Sequence, residues 1–133
     1  MDFIYKRFDE KRVKPLVWIT LQNPDNRRSY RFEALVDSGS DSCFFDAEIG
    51  EALGIDISTG DAGEVRGVVP GKWVRQYAHP VILKFGEKSF AIRAGFVHGL
   101  SRHGYGILGQ NGFFDQVKLV SFQKQKGIFS VEL

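Results

Sequence analysis

Ala34-Leu35-Val36 runs directly into Asp37-Ser38-Gly39-Ser40. An apolar strand here delivers a carboxylate to a Ser-Gly turn, and a positioned carboxylate can take or give a proton during a hydrolysis. Later in the chain, Tyr105-Gly106-Ile107-Leu108-Gly109-Gln110-Asn111-Gly112-Phe113-Phe114 forms an apolar-apolar-Gly segment followed by a short helical stretch. Other reactive residue types are less well placed. Gly104 to Gly109 satisfies G-x-G-x-x-G, but a dinucleotide site needs that motif to follow a strand and open a long helix. Here the glycines surround a strand in a β-rich chain, so nucleotide binding is not expected. His79, His98 and His103 are spread over loops without paired acidic or cysteine spacing, which argues against zinc. Cys43 is the only cysteine; no histidine lies close by in sequence to activate it, so it reads as a buried structural thiol. Ser38 and Ser40 lie outside any G-x-S-x-G elbow.

Composition sets the limits. With 133 residues the chain makes one domain, and two full lobes do not fit. A hydrophobic share of 43% with 26% charged residues is globular, neither disordered nor fibrous. The formal net charge of +2 lacks the basic excess of a nucleic-acid-binding surface. Lys6-Arg7 and Lys11-Arg12 interleave with Asp9-Glu10 as a solvated face. The N-terminus mixes charges where a secretory signal would be apolar, and no apolar run is long enough to span a membrane. A single cysteine fits a reducing, cytoplasmic location.

The elements that must position Asp37 are mostly strands. Twelve phenylalanines, fifteen glycines and few runs of helical spacing favour short strands joined by turns. Leu16 to Leu21 and Tyr30 to Val36 read as a hairpin about Asn23-Pro24-Asp25-Asn26. Between Cys43 and Gly54, Phe45, Ile49, Ala52 and Leu53 share a helical face, predicting one short helix ended by Gly54. Asp41 or Ser42 would cap its start. Glu64 to Val69 and Lys72 to Tyr77 flank Pro70-Gly71, a type II turn pair, and predict a protruding hairpin. Further strands are expected over Pro80 to Phe85, Lys88 to Val97, Val117 to Phe122 and Ile128 to Glu132, with a helical turn within Gln110 to Gln116. Asp61-Ala62-Gly63 follows Ser58-Thr59-Gly60 and not an apolar strand, and reads as a turn.

The ordered trio of Asp37-Ser38-Gly39, the Pro70-Gly71 hairpin and Ile107-Leu108-Gly109 resembles the retropepsin-like (retroviral-type) aspartic proteases, over roughly Leu16 to Glu132. The resemblance implies an all-β, single-lobe acid-protease fold, a closed barrel-like sheet with one or two short helices and a flap hairpin. It also implies an N-terminal arm over 1–15 and a protease domain over 16–133. The expected activity is that of an aspartic endopeptidase, with a polypeptide as substrate and no cofactor or metal. Metal-free peptide hydrolysis needs one group to take a proton from water and another to give one to the scissile carbonyl. Two facing carboxylates sharing one proton do this, titrating as a unit. The chain has one Asp-Ser-Gly, so the second Asp37 would come from another copy in an isologous homodimer.

By the same resemblance, Ser38, Gly39 and Ser40 support the active-site loop. The Ser38 hydroxyl braces the two loops across the dimer, and the Gly39 backbone approaches substrate. Asp41, Val68, Val69, Pro70, Gly71, Trp73 and Ile107 would contact the bound polypeptide; the alternative is an ordinary surface hairpin, with Trp73 packing under it. The sequence departs from retroviral members in three places: the flap has fewer glycines, Gln110 stands where many carry Arg, and the C-terminal hairpin is longer. The alternative is a catalytically silent retropepsin-fold module for dimerisation or peptide binding, since fold does not dictate function.

Overall fold

The computed structural model describes residues 1–133, the side chains of Ser101 and His103 apart. Its strands are β1 (Asp2–Ile4), β2 (Lys6–Arg7), β3 (Val13–Lys14), β4 (Leu16–Gln22), β5 (Ser29–Val36), β6 (Phe44–Asp46), β7 (Asp61–Arg66), β8 (Trp73–Phe85), β9 (Lys88–Val97), β10 (Gly106–Leu108), β11 (Leu119–Gln123) and β12 (Ile128–Glu132). One helix, α1 (Ala47–Ala52), and short 3-10 turns complete the chain. None of these helices is long and apolar enough to cross a membrane.

The main sheet runs β4-β5-β10-β6-β9-β8-β7, and a further pairing of β4 with β8 closes it on itself. Closure removes most unpaired edges. Inside lie the fully buried Phe45, Phe85, Phe96 and Phe113, with Ile19, Leu21, Leu83 and Leu108. Phe85 meets Phe113 edge-on at a centroid distance of 5.5 Å, a favoured aromatic geometry. Truncating one such ring to Ala costs about 3–5 kcal/mol in a typical core. A second sheet, β1-β12-β11, packs Phe3 and Phe129 against this core, with Phe3 also 5.8 Å from Phe85. Within residues 1–14, Asp2–Ile4 thus joins the second sheet, while β2 and β3 form their own small hairpin.

Most expected elements are present, including the hairpin of β4 and β5. The Lys72 N–H donates to the Val69 carbonyl at 3.3 Å, and Gly71 has φ of +80°. This is the type II turn expected of Pro70-Gly71. Several expectations need correction. Asp61-Ala62-Gly63, expected as a turn, is the first half of β7, where cross-strand pairing with Gln76 to Ala78 of β8 overrides its turn chemistry, and His79 lies within β8 and not in a loop. Cys43 to Asp46 is extended, not helical: Phe44 pairs with Ile107 of β10 while β6 runs parallel to β9, so tertiary pairing overrides the helical spacing. The helix therefore starts at Ala47 and is capped by Asp46, whose Oδ1 accepts the Glu48 N–H at 2.7 Å; neither Asp41 nor Ser42 caps it. It ends as expected, with Gly54 at φ of +81°. A further correction is that the strands expected over Lys72 to Tyr77 and Pro80 to Phe85 merge into one, β8, which begins at Trp73. Pro80, which cannot donate a ladder bond, falls where one edge of β8 is bare, between the end of β7 pairing at Ala78 and the start of β4 pairing at Ile82.

Candidate active site

Asp37 stands one residue beyond β5, where β10 lies between parallel β5 and antiparallel β6. Its N–H donates to the Leu108 carbonyl at 2.9 Å, so the β10 ladder reaches the residue that carries the carboxylate. The Ser40 N–H donates back to the Asp37 carbonyl at 3.2 Å, and the Gly39 N–H donates to Asp37 Oδ1 at 2.9 Å. The turn thus holds one carboxyl oxygen by a backbone hydrogen bond. Asp37 is half-buried, whereas Ser38 and Gly39 are exposed.

The turn rests on the segment after β10. The backbone N–H groups of Gln110 and Asn111 donate to the carbonyls of Ser40 and Asp41, each at 2.8 Å. Their side chains repeat the pattern: Gln110 Nε2 donates to the Ser38 carbonyl at 2.7 Å and Asn111 Nδ2 to the Asp41 carbonyl at 2.9 Å. The Ser40 hydroxyl donates to the Ser42 carbonyl at 2.8 Å. Four donors from two residues therefore hold the carbonyls of residues 38, 40 and 41. Among the described residues, nothing bonds the Ser38 hydroxyl.

Ile107 is half-buried and opposite Leu35, the residue two before Asp37 on the same face of β5. The structure brings Asp37, Ser38, Gly39, Ser40, Asp41 and Ile107 together at one end of the barrel. Val68, Val69, Pro70 and Gly71 lie at the exposed tip of the β7–β8 hairpin, with Val68 fully exposed and Trp73 half so. No described contact joins that tip to Asp37. A groove of about 450 Å³ beside Phe32, Asp46 and Tyr105 does not include Asp37. Of the histidines, His98 is exposed and His79 is buried, its Nε2 2.8 Å from the Ile57 carbonyl. The side chain of His103 lies outside the described residues.

No family model matches the chain, and no curated protein matches it by sequence. Solved structures do. A retropepsin-like aspartic protease from Rickettsia conorii superposes with a TM-score of 0.66 at 15% identity, over 98% of this chain and 89% of that one. EIAV protease complexed with the inhibitor HBY-793 superposes with a TM-score of 0.51 at 16% identity, over 79% of this chain and 88% of that one. The fold is retropepsin-like. Within that retropepsin-like fold, the polypeptide expected at Gln110 to Gln116 as a helical turn also carries the site's main supports. The amide side chains of Gln110 and Asn111 were legible as polar residues after the close-packed Gly109, but nothing in the sequence revealed which carbonyls they would meet.

Cys43 sits directly behind the loop. It is completely buried, and its Sγ accepts the Gly109 N–H at 3.4 Å. Burial pushes the thiol up to about 11 from an ordinary value of 9.0, against a lowering by the Gly109 N–H, with Asp115 adding to the rise. A raised pKa means that the folded state holds the proton more tightly. Any stability linked to this group is therefore complete below pH 9.0 and lost as pH rises through about 11. Native protein at pH 8 should resist iodoacetamide while denatured protein labels fully, by intact-mass measurement. Native labelling within minutes would show that the thiol is accessible.

Proposed function

We propose that this chain is an aspartic endopeptidase that works as a homodimer, with two Asp37 carboxylates sharing one proton around a single water. The observation that carries the reading is the Asp37 turn: a half-buried carboxylate, oriented by the Gly39 N–H and fixed through its carbonyls by Gln110 and Asn111. Such preorganisation is what a proton-transfer group requires. The retropepsin-like fold and its protease neighbours support the same assignment.

In this reading the ionised Asp37 takes a proton from the water as its oxygen attacks the scissile carbonyl carbon. The protonated Asp37 of the second copy gives its proton to the carbonyl oxygen. The resulting tetrahedral diol collapses as the C–N bond breaks, with a proton passing to the leaving nitrogen, and the dyad again holds one proton. Ser38, whose hydroxyl is unbonded within the chain, braces its counterpart across the two-fold axis. Gly39 and Asp41 hold substrate backbone, Ser40 supports the loop and Ile107 lines the cleft. Val68, Val69, Pro70, Gly71 and Trp73 close over the bound chain, excluding water as a mobile lid does.

The test is digestion of an unfolded polypeptide at acidic and neutral pH, with sedimentation of the same samples. We expect cleavage at acidic pH, at a rate that rises more steeply than linearly with chain concentration while dimer is forming. A stable dimer without cleavage would favour the silent binding module, and a strict monomer at high concentration would exclude a dyad made from two Asp37 residues.

A further inference from the structure

Away from Asp37, two bare strand edges face one another. Strand β1 pairs only with β12, on one side. Its Met1 and Tyr5 bond to Val131 and Gly127 across that pairing, so by antiparallel alternation the backbone groups of Asp2 and Ile4 point the other way. Strand β4 pairs with β5 along its whole length, but β8 covers its other edge only from Thr20 to Gln22. The edge over Leu16 to Ile19 has no strand partner among the described residues. Both edges line one groove of about 760 Å³.

The outer face of that groove is cationic and aromatic. Lys84, Thr20 and Arg31 sit directly opposite one another across β8, β4 and β5. Trp18, 44% exposed, lies under the Arg31 guanidinium at 4.4 Å and the Lys6 ammonium at 5.1 Å. Lys6 is already paired with Glu33 at 2.5 Å, and Asp2 adds one negative charge at the groove's margin. Among the described residues, Arg31 and Lys84 have no carboxylate partner. The groove therefore offers two cations without a carboxylate partner, Arg31 over an exposed tryptophan and Lys84 beside it, with strand edges that pair with no other strand on both walls. A bare edge is a template for adding a strand.

We propose that this groove binds an extended acidic segment of a partner protein by strand addition between β1 and β4. Alternate side chains of the added strand point to opposite faces, so its acidic residues meet Arg31 and Lys84 while its apolar residues settle towards Phe3 and Phe85. A nucleic acid would use the cations and Trp18 but would leave the facing strand edges unused, which is why a peptide is favoured. Arg31 lies six residues before Asp37, roughly 20 Å along an extended strand. The surface is thus separate from the Asp37 turn, and the proposal stands whether or not Asp37 is catalytic.

The test uses the full chain and a dye-labelled peptide of alternating Glu and Val, read by fluorescence anisotropy. Wild type should bind saturably, and amide NMR shifts should concentrate at Ile4 and Trp18. The double variant Arg31→Glu, Lys84→Glu should weaken binding at least about 10-fold and gain affinity for the alternating Lys and Val peptide; both positions are exposed, and that gain shows the variant to be folded. N-methylation of alternate peptide nitrogens should weaken binding by a similar factor. Absence of saturable binding, indifference to charge reversal or to N-methylation, displacement of the peptide by oligothymidylate at lower concentration than by unlabelled peptide, or shifts explained by self-association alone would each overturn the proposal.

Discussion

Asp37→Asn should abolish proteolysis while leaving the fold intact. Asn keeps an oxygen where Asp37 Oδ1 accepts the Gly39 N–H, so the turn retains its internal bond and the thermal midpoint should move little. What is lost is the ability to take a proton from water, and general acid-base catalysis typically contributes about 10²–10⁴-fold. The loss should be at least that large, because the substitution removes the base and its proton-sharing partner together. Mixing gives a sharper result. In an isologous dimer, equal amounts of wild type and Asp37→Asn at constant total chain leave about a quarter of the dimers with two carboxylates. Activity should fall to that fraction after exchange, whereas one site per chain would leave about half. Undiminished activity of the pure variant would end the aspartic-protease reading; a fall to half would end the shared dyad.

That prediction rests on a part of the molecule that local sequence chemistry specifies. Strand β5 alternates polar and apolar residues and then turns apolar at Ala34 to Val36, which sends the chain into the core and leaves Asp37 at the mouth of it. Pro70-Gly71 likewise specifies its own turn, because Pro fixes one torsion and Gly supplies the positive φ at the next position. Local chemistry determines such features, so they survive in the sequence of a single chain. Cys43 to Asp46 does not behave this way. Phe45 falls at helical spacing with Ile49, Ala52 and Leu53, yet Phe44 to Asp46 is a strand, because β9 and β10 offer ladder partners that come from residues 95–97 and 107. Nor could spacing show that Gln110 and Asn111 would reach back to the carbonyls of Ser38 and Asp41, about 70 residues away in sequence. Pairings at that range depend on the closed sheet, which no local window contains. The groove between β1 and β4 is of the same kind: Trp18, Arg31 and Lys84 are unremarkable in sequence and form one face only once three strands are in register.

Gly109→Ala should damage both stability and the site, because of where a methyl group would fall. A Cβ at position 109 would sit 2.2 Å from the Ser42 carbonyl oxygen and 2.6 Å from that of Ser40. Both are backbone atoms, and neither can swing aside as a flexible side chain would. The Ser40 carbonyl is also the acceptor for the Gln110 N–H, and Cys43 Sγ receives the Gly109 N–H from the same crowded layer. Relieving the overlap therefore means pushing the loop of residues 40–42 away from the end of β10, stretching the bonds that Gln110 and Asn111 make. Overpacking a tight interior costs typically 1–3 kcal/mol and sometimes more; with backbone on two sides, about 3 kcal/mol is expected, or a fall in thermal midpoint of roughly 10 °C for a domain of this size. Gly67→Ala is the matched control, since a Cβ there meets nothing within 4 Å and Gly67 is not a positive-φ glycine. Its thermal midpoint should stay within about 2 °C of wild type, as expected for a surface change of at most ~0.5 kcal/mol. If Gly109→Ala melts with the control, the close passage of β10 beneath the Asp37 turn is not what holds that turn, and the support assigned to Gln110 and Asn111 falls with it.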